Sequence, residues 1–282
     1  MSEKTLIYLD GGYAKDDDKV YHWRARSNRD IGPLHNPDPK NYYPVPHANV
    51  PSFEALGANG YARDKKVAFW HGEIIPDSDV ATFEVIGRQF AKDAEHFYFR
   101  NQVIPGVDVG SVKLFSPDEV FFKDQYGVYF LTYQDNFSNP RIIPADKDSF
   151  VRLAGYYSRD RQNIYYEDQI LTGADLGTFE VFPPHDDHFA KDKHHVYKYG
   201  VKLAKPDAAT FELISQSYSK DKNHVYHNQD FTPGTGVIEG ADPGTFVFLE
   251  GKYKKVGKQH YDAEDKHHYY LSTATKLIVI KK

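Results

Sequence analysis

The residues of this chain whose types and spacing could do chemistry are acidic, and they recur. An aspartate returns eight times, at Asp16, Asp64, Asp93, Asp124, Asp160, Asp192, Asp221 and Asp265. In the first seven copies Lys or Arg stands directly before it, with Tyr or Phe three residues before; the eighth has Glu264 and Asp262 there. Five residues after each anchor comes an aromatic: Tyr21, Phe69, Tyr98, Tyr129, Tyr165, Tyr197, Tyr226 and Tyr270. A carboxylate within reach of a cation and a phenol has the makings of a general acid or base. No single reaction needs eight copies, so the recurrence points to a turn-forming role, in which an aspartate side chain bonds its own backbone.

Other chemistry is thinner. Of the fourteen histidines, His96, His195, His224 and His268 all stand three after an anchor, where other copies carry Lys19, Gly127 and Asn163. A position that accepts Lys and Gly is a solvated turn position, and metal sites need several convergent ligands, so no metal or other cofactor is expected. Asp16, Asp17 and Asp18 lack the alternating ligands and glycine of a calcium loop. Nucleophile elbow, phosphate loop, paired histidines on a helix and dinucleotide glycines are all missing, and an enzyme is not expected.

The elements that must hold these residues follow from a second motif between the anchors. It reads Asp or Asn, two variable residues, Ser or Thr, then usually Phe. It begins at Asn49, Asp79, Asp108, Asp146, Asp175, Asp207 and Asp242. Its hydroxyls are Ser52, Thr82, Ser111, Ser149, Thr178, Thr210 and Thr245. Pro243 after Asp242 is an acidic cap followed by proline, which reads as one short helical turn. A regular stretch such as Thr82 to Pro105 reads as strand, turn, strand, turn, strand. The aromatic content of 15%, with 22 Tyr and 19 Phe, suits pleated surfaces and not helices. Each aromatic is expected to stack on its counterpart in the next unit.

With strings such as DKNHVYH from Asp221, DKHHVYK from Asp192 and DKHHYY from Asp265, the chain resembles the DKNYY family of bacterial repeat proteins along nearly all its length. What this implies is architecture, with no catalytic set or ligand to carry over. The expected fold is all-β: an array of about eight three-stranded or hairpin units with short helical turns, forming one domain over 1–282. An open superhelical array is favoured over a closed propeller, whose blades take about 40 to 50 residues.

The copies differ at one place. From anchor to second motif the first, fourth and seventh copies take 33, 22 and 21 residues where regular ones take 15, so they carry insertions of 18, 7 and 6. Insertions in repeat arrays form loops on one face, often the binding face. The first holds Trp23, Arg24, Arg26, Arg29, Tyr42 and Tyr43 among prolines, the mixture favoured at interface hot spots. The second carries Tyr133, Phe137 and Arg141, and the third Asp230 and Phe231. These eleven residues are the expected partner contacts.

The net charge of −5 and the sequence pI near 6.3 give no general attraction to phosphate backbones, so nucleic acid is not an expected partner. Without a signal-peptide h-region or a transmembrane-length apolar span, a cytoplasmic protein that does not engage membranes is expected. The expected function is a non-catalytic interaction protein, more narrowly a bacterial cytosolic immunity protein that neutralises a basic toxin domain. The alternative is a carbohydrate-binding or carbohydrate-active protein with tyrosine-lined grooves.

Overall fold

The computed structural model describes residues 6–24, 39–116, 120–132, 139–182, 188–231 and 236–282. It is all-β, a repeat array of small antiparallel sheets joined by turns; among the described residues there is no α-helix, and no sheet closes into a barrel. Nor, among those residues, is any helix long and apolar enough to cross a membrane. The array divides into two compact units, Met1–Ile143 and Pro144–Lys282.

The sequence reading of a copy needs one correction: a regular copy has four strands, not three. In the third copy they are Glu84–Val85, Phe90–Lys92, Phe97–Phe99 and Gln102–Ile104, hydrogen-bonded in that order. The single run expected before the anchor is broken at Gly87, where the amides of Ile86 and Gly87 both reach the Phe90 carbonyl, at 3.0 and 3.1 Å. The pairs Ala91↔Tyr98 and Lys92↔Phe97 bracket the turn containing Asp93. Among the described residues seven sheets have four strands, while the seventh copy has three and closes with the bridge Tyr226↔Val237.

These strands are too short to be stable alone, and burial on both faces supplies the stabilisation. Tyr61, Ala62, Ala68 and Phe69 are all fully buried, as are Phe189, Ala190, Val196 and Tyr218. The expected direct stacking of the aromatic five after the anchor on its counterpart gives way to a three-ring relay. Phe83 of the second motif lies between Tyr61 and Tyr98, with centroids 6.2 and 5.8 Å away; Phe179 lies likewise between Tyr157 and Tyr197, at 5.6 and 5.7 Å. The relay links the ring three before one anchor to the ring five after the next. One copy rearranges it. Val112 replaces the Phe of the second motif, and Phe122 stands where other copies have Ala or Ser; Phe122 fills the vacated space against Phe97 and Tyr129, at 4.9 and 5.1 Å.

Candidate functional site

The two sequence motifs are halves of one clasp. Asp192 is 2% exposed and accepts four hydrogen bonds. Its Oδ1 takes the amides of His194 and His195, both at 2.7 Å, and its Oδ2 takes the Tyr197 hydroxyl and the Asp175 amide, both at 2.9 Å. Asp175 accepts the Thr178 hydroxyl at 2.7 Å, and the Thr178 Oγ1 accepts the Lys193 amide at 3.0 Å. Lys193 Nζ returns to Asp175 at 2.7 Å, closing the ring. The same bond from the first amide of the second motif to the anchor of the following copy joins Asn49 to Asp64, Asp79 to Asp93, Asp108 to Asp124, Asp146 to Asp160, Asp207 to Asp221 and Asp242 to Asp265.

Burial would raise the carboxyl of Asp265, but the Tyr270 hydroxyl and the amides of Asp242, His267 and His268 outweigh it and hold the pKa down at about 2. The partner phenol moves the other way: burial and then the bond to the Asp160 carboxylate push Tyr165 up to about 12. These groups are fixed in single protonation states near neutrality. The helical turn expected at the second motif is one i to i+3 turn, such as Thr178 amide to Asp175 carbonyl at 3.3 Å. The histidines three after the anchor each sit beside their own aspartate, His195 Nδ1 being 3.6 Å from Asp192 Oδ1. Among the described residues no group of three His, Asp or Glu is placed to hold a metal.

Chemistry that varies between copies lies along the seam between neighbouring sheets. The side chain six after one anchor meets the residue seven after the next. His22 Nε2 lies 3.2 Å from His71 Nδ1, the Arg100 guanidinium stacks 5.5 Å over Trp70, and Lys198 Nζ donates to the Asn228 carbonyl at 2.5 Å. His22 is 5% exposed; burial first, then the His71 and Arg24 charges, lower its pKa to about 4 against the pull of the Gly11 carbonyl.

At the same seam position in the second unit, His227 Nε2 is 2.9 Å from Ser272 Oγ and its Nδ1 2.7 Å from Asp230 Oδ2. The residue types are those of a Ser-His-Asp triad. The surroundings are not: His227 is 1% exposed, and the Ser272 amide points at both oxygens of Asp262, each 3.4 Å away. A substrate oxyanion formed by attack of Ser272 would find that amide already directed at a carboxylate. Asp262, raised by burial, also accepts the Tyr218 hydroxyl at 2.8 Å. The cluster is a polar joint between the last two copies, with His227 buried and Asp230 exposed.

In the first unit a cleft of about 790 Å³ opens beside this seam, lined in part by Asn59, Trp70, His71, Arg88 and Gln89. Arg100 Nε donates to Gln89 Oε1 at 2.8 Å along its rim.

Of the expected contact residues, Arg26, Arg29, Tyr133 and Phe137 lie outside the described residues, and of Phe231 only the backbone is described. All three insertions lengthen the same hairpin, after the third strand, so Trp23 pairs across it with Tyr42 and Phe130 with Arg141. Arg24 is exposed and Tyr43 is 37% exposed. Tyr42 is not: it is 8% exposed, with its ring 5.5 Å from Tyr8, and belongs to the core. Asp230 is exposed but bonded to His227. A feature the sequence reading missed is an additional exposed hairpin in the eighth copy, Lys254–Val256 paired with Gln259–Tyr261. Its signal was present as the lysine-rich string Lys252 to Lys258.

Sheets of one pattern, bolted copy to copy by one clasp, define an all-β repeat protein. The model of the DKNYY family matches residues 2–101, 90–230 and 132–274, and the chain belongs to that family. No curated protein and no solved structure matches it.

Proposed function

We propose that this chain is a non-catalytic protein that binds another protein, and more narrowly a bacterial cytosolic immunity protein that neutralises a toxin. The observation that supports the reading is the saturation of the repeated motif. The aspartates, hydroxyls and tyrosines recurring along the chain are engaged with one another inside the scaffold, as the ring around Asp192 illustrates. What remains for function is the part that leaves the template: the lengthened hairpins, with Trp23, Arg24, Tyr43 and Arg141 at their described ends. The net charge of −5 suits a basic toxin domain, since complementary fields speed association. The Ser272, His227 and Asp230 cluster does not weigh against this reading, because its amide serves a carboxylate.

The test is co-purification from the native host with mass spectrometry, repeated with Tyr43→Ala and Arg141→Ala. A specific partner retained by the parent and lost from the variants supports the reading; recovery of the chain alone rejects it. Carbohydrate binding keeps one supporting observation, the cleft beside Trp70. Apart from the half-buried Tyr21 the repeat tyrosines are buried and unavailable to line a groove, so stacking would fall to Trp70. A glycan array with the parent and Trp70→Ala separates the two readings.

A further inference from the structure

Among the described residues the basic hairpin of the eighth copy has no counterpart in another copy. It occupies the place where the third copy has only the turn Ile86–Gln89, between the first and second strands of the sheet. Lys252, Tyr253, Lys254, Lys255, Lys258, Gln259 and His260 are all exposed, and only Tyr261 is buried, with its ring 5.9 Å from Tyr269. The core therefore needs one residue of this excursion.

The charges are arranged differently from those of the scaffold. Four lysines flanking the anchors are neutralised: Lys193 by Asp175, Lys222 by Asp207, Lys266 by Asp242 and Lys191 by Glu180. Among the described residues Lys252, Lys254, Lys255 and Lys258 have no carboxylate partner. Strand pairing fixes their display. Lys255 stands opposite His260, and Tyr253, on the same side of the strand, is 63% exposed with its ring 6.4 Å from His260. One face thus presents a tyrosine, a lysine and a histidine, with Lys258 in the turn at the tip. Like charges held together on a pre-organised ribbon repel one another in the free chain, and an anionic surface relieves that repulsion.

We infer that this hairpin is a docking element for an acidic surface patch of a protein partner; the inference rests on the interaction reading above and adds a contact to it. Nucleic acid fits less well. Without these four lysines the net charge of −5 would be −9, so a phosphate chain running well beyond the hairpin meets a chain of net negative charge, whereas a compact acidic patch needs only the hairpin. Tyr253 supplies the amphipathic ring that protein interfaces favour at their centres.

The experiment measures binding of a fluorescently labelled oligoglutamate to the full chain, beside an oligothymidylate of equal charge, at low and physiological salt. The comparison variant combines Lys252→Gln, Lys254→Gln, Lys255→Gln and Lys258→Gln. The expected result is oligoglutamate binding that weakens about tenfold in the variant, four exposed pairs at a few tenths of a kcal/mol each, and that is at least as tight as oligothymidylate binding. Circular dichroism should be unchanged; if the quadruple variant does not fold, Lys255→Gln alone, read on the same probe, gives the smaller loss. Absence of oligoglutamate binding, equal binding by the variant, or tighter binding of oligothymidylate overturns the inference. Failure of the co-purification with oligoglutamate binding intact would instead count against the interaction reading and leave the hairpin's charge recognition standing.

Discussion

Single side chains in the clasp are interchangeable between copies, which makes the exceptions informative. Phe69 is the one non-tyrosine among the aromatics five after the anchor, and it is fully buried in the same place as Tyr98 and Tyr197. Phe69→Tyr should therefore supply the missing phenol to Asp64 and raise stability by about 1 kcal/mol, read from urea midpoints. An unchanged or lowered midpoint would mean the second copy holds its aspartate differently. His22 gives a pH dependence of defined sign. Its folded pKa of about 4 lies below the ordinary 6.5, so the unfolded chain binds a proton that the folded chain refuses. Stability from this group is complete above pH 6.5 and declines as pH falls toward 4, by up to about 3 kcal/mol. His22→Gln should flatten that limb of the urea profile, and an NMR titration should place the imidazole near 4.

Strands and turns obey a packing rule that can be exchanged between copies. Phe122 fills the space that Val112 leaves, so Phe122→Ala alone should cost about 3 to 5 kcal/mol. Adding Val112→Phe restores the arrangement of the other copies and should recover a large part of the loss; a double-mutant cycle with no coupling would contradict it. Gly200→Ala tests the seam, since its φ is +73° and an added Cβ meets the Tyr166 ring at 2.6 Å. It should lower the thermal midpoint clearly, where a turn glycine with open space, Gly173, should tolerate Ala with only the backbone penalty.

The sequence carried much of this architecture. Asp at a fixed offset from Tyr and from Thr made the repeat and its turns legible, because the clasp demands those residue types at those spacings. What stayed hidden was pairing across copies. Spacing from an anchor to the motif that follows suggested one unit, yet the bond runs from Asp175 to the later Asp192, a closure that only the fold decides. The extra turn at Gly87 was missed because a two-residue strand such as Glu84–Val85 has no periodicity to read. Tyr42 looked like a contact because its neighbours are polar and proline-rich, but its partner Tyr8 comes from a distant strand. The Ser272, His227 and Asp230 cluster could not be found at all, since its members are brought together by the meeting of two sheets.

Along the chain, each unit is a series of sheets whose polar clasp and three-ring relay connect neighbours only. Stability in such arrays is a sum of local terms and nearest-neighbour terms, and a broken clasp should loosen its own copy and the adjoining ones first. The claim on which everything else depends is that the repeated aspartates are structural bolts, and Asp192→Asn examines it most directly. The substitution keeps the shape but replaces one acceptor oxygen with a donor, against the four donors that converge on Asp192. Amide hydrogen exchange, read with urea stability, should show Asp175, His194 and His195 losing protection and the chain losing about 2 to 4 kcal/mol, while Asp148→Asn on the exposed surface changes stability by less than about 0.5 kcal/mol. Equal stability of the two variants, with protection at Asp175 unchanged, would contradict it.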